Sequence, residues 1–508
     1  MTNLADLIPA GGGQNNTDFV ADGTIASGKP VILQSDGKAA EVAMGSKSAG
    51  TASYLSATSS QGDTAIAPAS GNNMICRAYR NSSGYGTVQF VEVNGTGFTY
   101  GTPAVFHSSS TGMIKLDHDD FSGYFVVLFN DQSNNFVGKV VTVYAPDTTT
   151  TPTIGTPAAV TSYPHELYWG DVNYDPKIQT TVIAYGKYYN DEPTGGTTVY
   201  PDGGWVAVVN PSGGVASVKT GTDVTGGYNT SYAGSVKLCY HAAEEKTVVF
   251  YPDNAGKNSC KALTIGAASS YTITLGSAAQ TSVSATMPYP VYDSGNNQFI
   301  LFERTGSGTI SALPVALSGT TLSFPVSAVN ASDSDTTDAS QIPFAPVYDV
   351  ATAKLVLGYR DTGDSNYGKM NVGSASGTTL TFESAVALGS GANAVDWFSA
   401  GYEETDQKSC IFYSLGASNN GYGNVVDAGS SNLTSTNLLG IAAGAISDTA
   451  TGTINTWGSR NEVQTSLTVA SDYYVQTDGT ITTSSSGDAQ LIGKAITATQ
   501  INIKDYTG

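Results

Sequence analysis

Apolar runs of about five residues recur along the chain, each followed by a polar, glycine-rich segment. Phe125-Val126-Val127-Leu128-Phe129, Thr247-Val248-Val249-Phe250-Tyr251 and Cys410-Ile411-Phe412-Tyr413 are clear instances. Continuous runs this short, rich in Val, Ile, Phe, Tyr and Thr, predict strands buried on both faces of their sheet. A polar residue marks the approach to each run. The pairs His118-Asp119, Tyr174-Asp175, Tyr240-His241, Tyr292-Asp293, Tyr348-Asp349 and Tyr402-Glu403 all place their second residue ten positions before the end of the run, at 129, 185, 251, 303, 359 and 413. Glu303 takes that end position in one copy, and Ala69 with Tyr79 make a weaker seventh copy.

Successive end positions lie 50 to 66 residues apart, the range of propeller blades. Each unit also carries a third strand, such as Lys139-Val140-Val141-Thr142-Val143, and a fourth segment with a recurrent Gly, as in Thr99-Tyr100-Gly101, Thr153-Ile154-Gly155 and Thr274-Leu275-Gly276. The chain is therefore expected to be all-β, with a seven-bladed β-propeller over residues 53–436. A residue repeated around a ring is a structural part, so the Asp of each pair is read as a turn cap and the Tyr as packing across the blade.

Both ends follow another rhythm, short strands alternating with Asp-Gly turns at Asp22-Gly23, Asp36-Gly37 and Asp478-Gly479. A closed ring brings its first and last blades together. Residues 1–52 and 437–508 are accordingly expected to form the two halves of one small β domain into which the propeller is inserted.

Composition then restricts function. The 508 residues include 58 Gly and few charges, but 29 Tyr, 16 Phe and 4 Trp spread along the chain argue for a folded protein over a low-complexity one. A formal charge of −20 argues against nucleic acid, whose binding draws on Lys and Arg. The start, Met1-Thr2-Asn3-Leu4-Ala5-Asp6, lacks the pattern of a signal peptide, and no apolar run is long enough for a membrane span. Assembly in a cytoplasm is expected, without membrane insertion. Cys76, Cys239, Cys260 and Cys410 form no metal-binding pair and read as buried thiols.

Four scattered His give no metal site, and no cofactor is expected. Asp117-His118-Asp119-Asp120 reads as a turn and the Asp-rich stretch 333–338 as a solvated linker, since it lacks the Gly and the final Glu of a calcium loop. No nucleophile elbow, sialidase-like Ser-x-Asp-x-Gly turn or phosphate-cradling Gly loop occurs, so an enzyme is not expected. The one pointer to binding is the longest repeat, the third, whose excess lies in the loop 186–204. Tyr188, Tyr189, Tyr200 and Trp205, with Trp169, are candidates to stack on sugar faces, and Asn190 and Asp191 to accept hydrogen bonds. The competing reading is that this loop hides its own aromatics or covers a neighbouring subunit.

The closing segment adds a resemblance. Ala445-Ile446-Ser447, Gly452-Thr453-Ile454, Leu467-Thr468, Tyr473-Tyr474-Val475, Asp478-Gly479-Thr480 and Ile492-Gly493-Lys494-Ala495-Ile496 resemble the C-terminal module of tailed-bacteriophage virion proteins of the fibre, spike and decoration type. The opening Gly23-Thr24-Ile25 with Gly28-Lys29-Pro30-Val31 and Asp36-Gly37-Lys38 is similar to such proteins too. The resemblance covers about a quarter of the chain. It implies a structural protein of a virion, a projecting tail-fibre or spike-like adhesin contacting host-surface glycan. Capsid decoration and a glycan-cleaving spike are the alternatives. Partners would be other virion proteins, through the terminal domain, and further copies of the chain in a homo-oligomer.

Overall fold

Antiparallel ladders carry the computed structural model, which describes residues 15–504 apart from 58–63, 70–72, 162–164, 191–198, 212–213, 220, 226–235, 254, 268–269, 333–343, 390–393, 416–419 and 486–488. The protein is all-β, its strands joined by turns and by the 3-10 turn Thr362–Asp364. Among the described residues no helix is long and apolar enough to cross a membrane. The chain divides into two compact units, one of residues 48–428 and one of residues 1–47 with 429–508.

Among the described residues the larger unit contains one nine-stranded sheet, four of five strands and one of four. In the nine-stranded sheet the strand Ala104–Asp119 belongs to two ladders: residues 104–110 pair with Tyr85–Asn94, and residues 111–119 pair with Tyr124–Asp131. Later repeats break this strand in two, leaving short pieces such as Ala158–Ala159 and Ala279–Gln280 on the third strand of their sheets. The four-stranded sheet takes its last strand from the far end of the unit, Ser53–Ala57 pairing with Asn420–Val426. First strands of successive repeats pack side by side, and Val395–Glu403 packs in turn on Thr64–Pro68.

Alternation along the second strands explains that packing. In Tyr124–Asp131, Phe125, Val127 and Phe129 face the first-repeat part of the same sheet, with Cys76 and Phe90, while Val126 and Leu128 face the next sheet, with Ile183 and Ala207. Both faces of each sheet are buried, as the continuous apolar runs require. Cys410 faces Ile75 as Cys76 faces Phe125. Cys76, Cys260 and Cys410 are buried and Cys239 half-buried, and burial pushes all four thiols up. The recurrent Gly of the fourth segment has a steric cause: a Cβ on Gly101 would stand 2.3 Å from the Thr148 carbonyl oxygen, and one on Gly155 2.3 Å from that of Gly214. The backbone of the next repeat passes too close for any side chain.

The Tyr-Asp pairs join the sheets as well as capping their own turns. Each polar residue accepts the backbone N–H three positions on: Asp119 from Ser122, Asp175 from Ile178, His241 from Glu244, Asp293 from Asn296, Asp349 from Thr352 and Glu403 from Asp406. One residue further, at Gly123, Gln179, Glu245, Asn297, Ala353 and Gln407, φ lies between 50° and 74° and turns the chain into its second strand. The second carboxylate oxygen reaches the next sheet. Asp119 accepts the Thr181 hydroxyl at 2.9 Å, Asp175 that of Thr247 at 2.8 Å, and Asp349 that of Ser409 at 2.8 Å.

Where the facing residue is Phe299, the polar residue is His241, which lies against its ring at 5.0 Å and donates through Nε2 to the Asn297 carbonyl. Burial lowers the pKa of this imidazole, and its Nδ1 is needed as the acceptor for Glu244. The Tyr acts in the opposite direction. Tyr292 Oη accepts the N–H of Ala243 and Tyr348 Oη that of Gly295, both in the preceding sheet's turn, and the same backbone contact joins Tyr174 to Phe121 and Tyr402 to Ala351.

In the smaller unit the two chain ends interleave. One sheet runs in the order Asn16–Val20, Thr451–Asn455, Leu438–Ala442, Pro30–Leu33, Ala39–Glu41. A second contains Arg460–Asn461, Gln500–Ile503, Gln490–Thr497, Asp472–Val475 and Ile481–Thr482. Ile32, Val42, Ile441, Val475, Ile492 and Ile501 share one buried core.

Replacing Asp349 or Ser409 by Ala is expected to cost about 2 kcal/mol each, because each change strands a buried hydrogen-bonding partner. The double variant is expected to cost less than the two added together, a coupling that urea unfolding of the four proteins measures. A second expectation concerns Glu303, which is fully buried and accepts from Asn258 Nδ2 at 2.8 Å. Burial pushes its pKa from 4.5 to about 7. Between those values the folded state binds more protons than the unfolded one, so stability falls as pH rises through that window. Glu303→Gln is expected to raise the thermal midpoint at pH 8 and to leave it nearly unchanged at pH 4.5.

Candidate functional site

The third repeat has the longest hairpin, Thr180–Asn190 against Val199–Asn210, and the candidate aromatics lie along it. Its ladder places Tyr188 opposite Pro201, Tyr189 opposite Tyr200 and Asn190 opposite Val199, while Trp205 stands opposite Tyr185. Trp169 comes from the neighbouring strand His165–Asp175, opposite Gly186. Asp191 lies outside the described residues, as does the stretch 333–338. For Tyr189, Asn190 and Tyr200 the backbone positions alone are described.

Two of the candidates are engaged in packing. Tyr188 sets its ring edge-on to Tyr168 at 5.0 Å, and Tyr168 stacks on Phe136 at 4.9 Å. Tyr168 Oη donates to the buried carboxylate of Glu166 at 2.7 Å. Burial raises both phenols, that of Tyr188 to about 12. Trp205 packs on the core between the second and third repeats and receives the Lys187 ammonium over its ring at 4.5 Å. An ammonium at that distance is attracted by the indole face. Trp169 is half-buried and occupies a repeat position, six residues before the polar residue, that is also held by Met113, Met287 and Trp397. Those three have φ of 46° to 54° at irregularities of the ladder, and the ladder of Trp169 shifts register beside it. Its placement follows from this repeated bulge.

The residues that complete the cluster, Phe136, Tyr168 and Glu166, escape sequence reasoning for different reasons. Glu166 and Tyr168 are two apart on a strand and share a face, a signal that was present. Phe136 comes from the preceding sheet, out of a turn in which Asn135 and Phe136 both have positive φ. Nothing local marks it.

A second feature lies where the first strands converge. A cavity of about 150 Å³ is lined by Ile66, Leu116, Asp171, Lys237, Tyr289, Ala345 and Phe398, among others. Asp171 accepts the N–H of Leu238 at 2.9 Å and faces Lys237 Nζ at 3.5 Å, and that ammonium lies 4.1 Å from the centre of the Tyr289 ring. Burial opposes the charge of Lys237, but Asp171 and Tyr289 outweigh it and hold its pKa above the ordinary value. Nearby, Asp117 is raised to about 6 by burial while accepting the N–H groups of Tyr174 and His118. Among the described residues no group of three His, Cys, Asp or Glu side chains is placed to hold a metal ion.

Neither a protein-family model nor a curated protein sequence matches the chain. Solved structures similar to it include the BP39L lectin from Burkholderia pseudomallei, at 14% identity over 75% of this chain and 99% of that one, TM-score 0.47. Others are the periplasmic gluconolactonase PpgL of Pseudomonas aeruginosa, at 11% identity over 74% and 97%, TM-score 0.46, and the β-propeller domain of Cps50 (Swd1) from Myceliophteria thermophila, at 10% identity over 73% and 98%, TM-score 0.41. These are likenesses and assign this chain no ligand or activity.

Tyr168→Phe keeps the ring stack and deletes the hydroxyl that serves Glu166. It is expected to lower the unfolding free energy by about 1 to 2 kcal/mol. Chemical denaturation measures the loss, and an effect within error would mean that water replaces the hydroxyl.

Proposed function

We propose that residues 48–428 form a seven-bladed β-propeller, the nine-stranded sheet counting as two blades that share the strand Ala104–Asp119. The last blade is then completed by Ser53–Ala57, as a clasp made from both ends of the ring. On this reading the ring is carried by a β unit built from both chain termini, and the protein is a structural component of a tailed-bacteriophage particle. It is displayed as a tail-fibre or spike-like adhesin that touches host-surface glycan, anchored to other virion proteins through the terminal unit and assembled as a homo-oligomer.

The observation that carries this reading is the division of the chain. Both termini belong to one compact unit, so the ring is tied covalently to it at two points, 47/48 and 428/429. A module tied to the rest of the chain at both ends suits display on an assembly better than a soluble role. A binding role is favoured over catalysis by how the repeated carboxylates are used: Asp119, Asp175 and Asp349 each commit one oxygen to their own turn and the other to the next sheet. The sugar-contacting surface on this reading is the third-repeat hairpin, with Trp169, Tyr188, Tyr189, Asn190, Asp191, Tyr200 and Trp205.

Gold-labelled antibody on purified particles is expected to mark the tail, and purified protein to compete with particles for host cells. Removing residues 191–198 is expected to weaken that competition about tenfold. Label on the head would replace the adhesin by a decoration protein, release of reducing sugar from host polysaccharide would make it an enzyme, and absence from particles would end the virion reading.

A further inference from the structure

We infer that a groove between the second, third and fourth repeats binds a neutral pyranose unit of a glycan. It is separate from the hairpin: Gln179 and Thr180 line it at one end of a strand whose other end is Asn190, roughly 30 Å away by strand rise. The groove has a volume of about 440 Å³, within the range of roughly 300 to 1,000 Å³ usual for ligand pockets. Its lining combines the rings of Phe121, Tyr124 and Tyr271 with Pro211 and the side-chain amides of Gln179 and Asn210.

Three observations make this a built site. Phe121 is 67% exposed, although it stands on a fixed turn: Asp119 accepts the N–H of Ser122, and Tyr174 holds the backbone of Phe121 itself. A rigidly presented, exposed phenyl ring loses unfavourable hydration only when something covers it. Tyr271 is the opposite case, buried and held at φ 47°, a region that a bulky side chain occupies only under constraint from its surroundings. That conformation brings its hydroxyl to Asn210 Nδ2 at 3.5 Å. Tyr124, the third ring, is flanked by Tyr144 at 5.6 Å.

The chemistry of the lining selects the ligand class. A pyranose presents a C–H face that covers an aromatic ring and a rim of hydroxyls that both donate and accept. Amide side chains match that rim, since each offers a donor and an acceptor. Among the described lining residues the carboxylate is Asp119, whose oxygens are on Ser122 and Thr181, and none is Lys or Arg. An anionic sugar would meet no counter-charge there. The inference rests on the recognition part of the reading above and not on the particle.

Saturation-transfer NMR with the full chain tests it, using glucose, galactose, mannose and N-acetylglucosamine as probes and sialic acid as the anionic comparison. At least one neutral sugar is expected to receive saturation and sialic acid none. Phe121→Ala, at an exposed position, is expected to weaken binding at least tenfold. Tyr271→Phe, which removes a single oxygen, is expected to weaken it several-fold with the thermal midpoint unchanged, and Val350→Ala, at an exposed turn position of another repeat, to leave it intact. No transfer from any neutral sugar, or equal binding by Phe121→Ala, would overturn the site. Binding lost in Tyr188→Ala and kept in Phe121→Ala would leave recognition to the hairpin alone and remove the groove. Sugar binding that needs Phe121 in a protein missing from particles would keep the groove and end the virion reading.

Discussion

The constraint on which the larger unit depends is that a carboxylate buried between sheets must find donors on both sides. Asp119, Asp175 and Asp349 are almost wholly removed from water, and a buried charge without partners is among the most costly features a fold can contain. Their own turns supply backbone N–H groups and the next sheet supplies a hydroxyl. The requirement therefore fixes two things together, the shape of a hairpin turn and the separation of adjacent sheets. The Tyr before each Asp works in the other direction, binding the preceding turn. A turn held by its own carboxylate and by the neighbour's phenol has little freedom left.

Variation among the copies shows the same rule in reverse. Where Phe299 or Leu355 replaces the hydroxyl residue, no acceptor can be served across the gap. His241 answers the first with a ring against a ring, and Asp293 answers the second by taking Asn296 and Gln298 of its own hairpin. Glu303 is less well accommodated: it occupies a position where the other copies place an aromatic, and it retains its proton to about pH 7.

Much of this was legible from residue spacing. The ten-residue interval from Tyr-Asp to the end of the apolar run gives the turn, the two strands and the repeat, because hairpin length is local. The partner of the second oxygen is not local: Thr181 lies 62 residues from Asp119, and a Thr opening an apolar run looks like any strand residue. The left-handed turn position was hidden for another reason, since Gln179, Glu245, Ala353 and Gln407 occupy it where glycine would have announced it. At the hairpin, Tyr188 and Trp205 read as exposed aromatics because the strand pattern cannot reveal that Tyr168 and Lys187 meet them. Phe121 went unremarked for the converse reason. A lone Phe beside a turn does not reveal whether it is covered.

The clasp between Ser53–Ala57 and Asn420–Val426 also has a meaning in time. The first of these strands leaves the ribosome more than 360 residues before its partner, which at usual elongation rates is a wait of roughly 20 to 70 s. Over that interval Ser53–Ala57 is a free edge able to pair with another chain. Asn16–Val20 waits longer still for Thr451–Asn455. The fold is complete only once residues 420–426 and 451–455 have been made and have paired with these early strands.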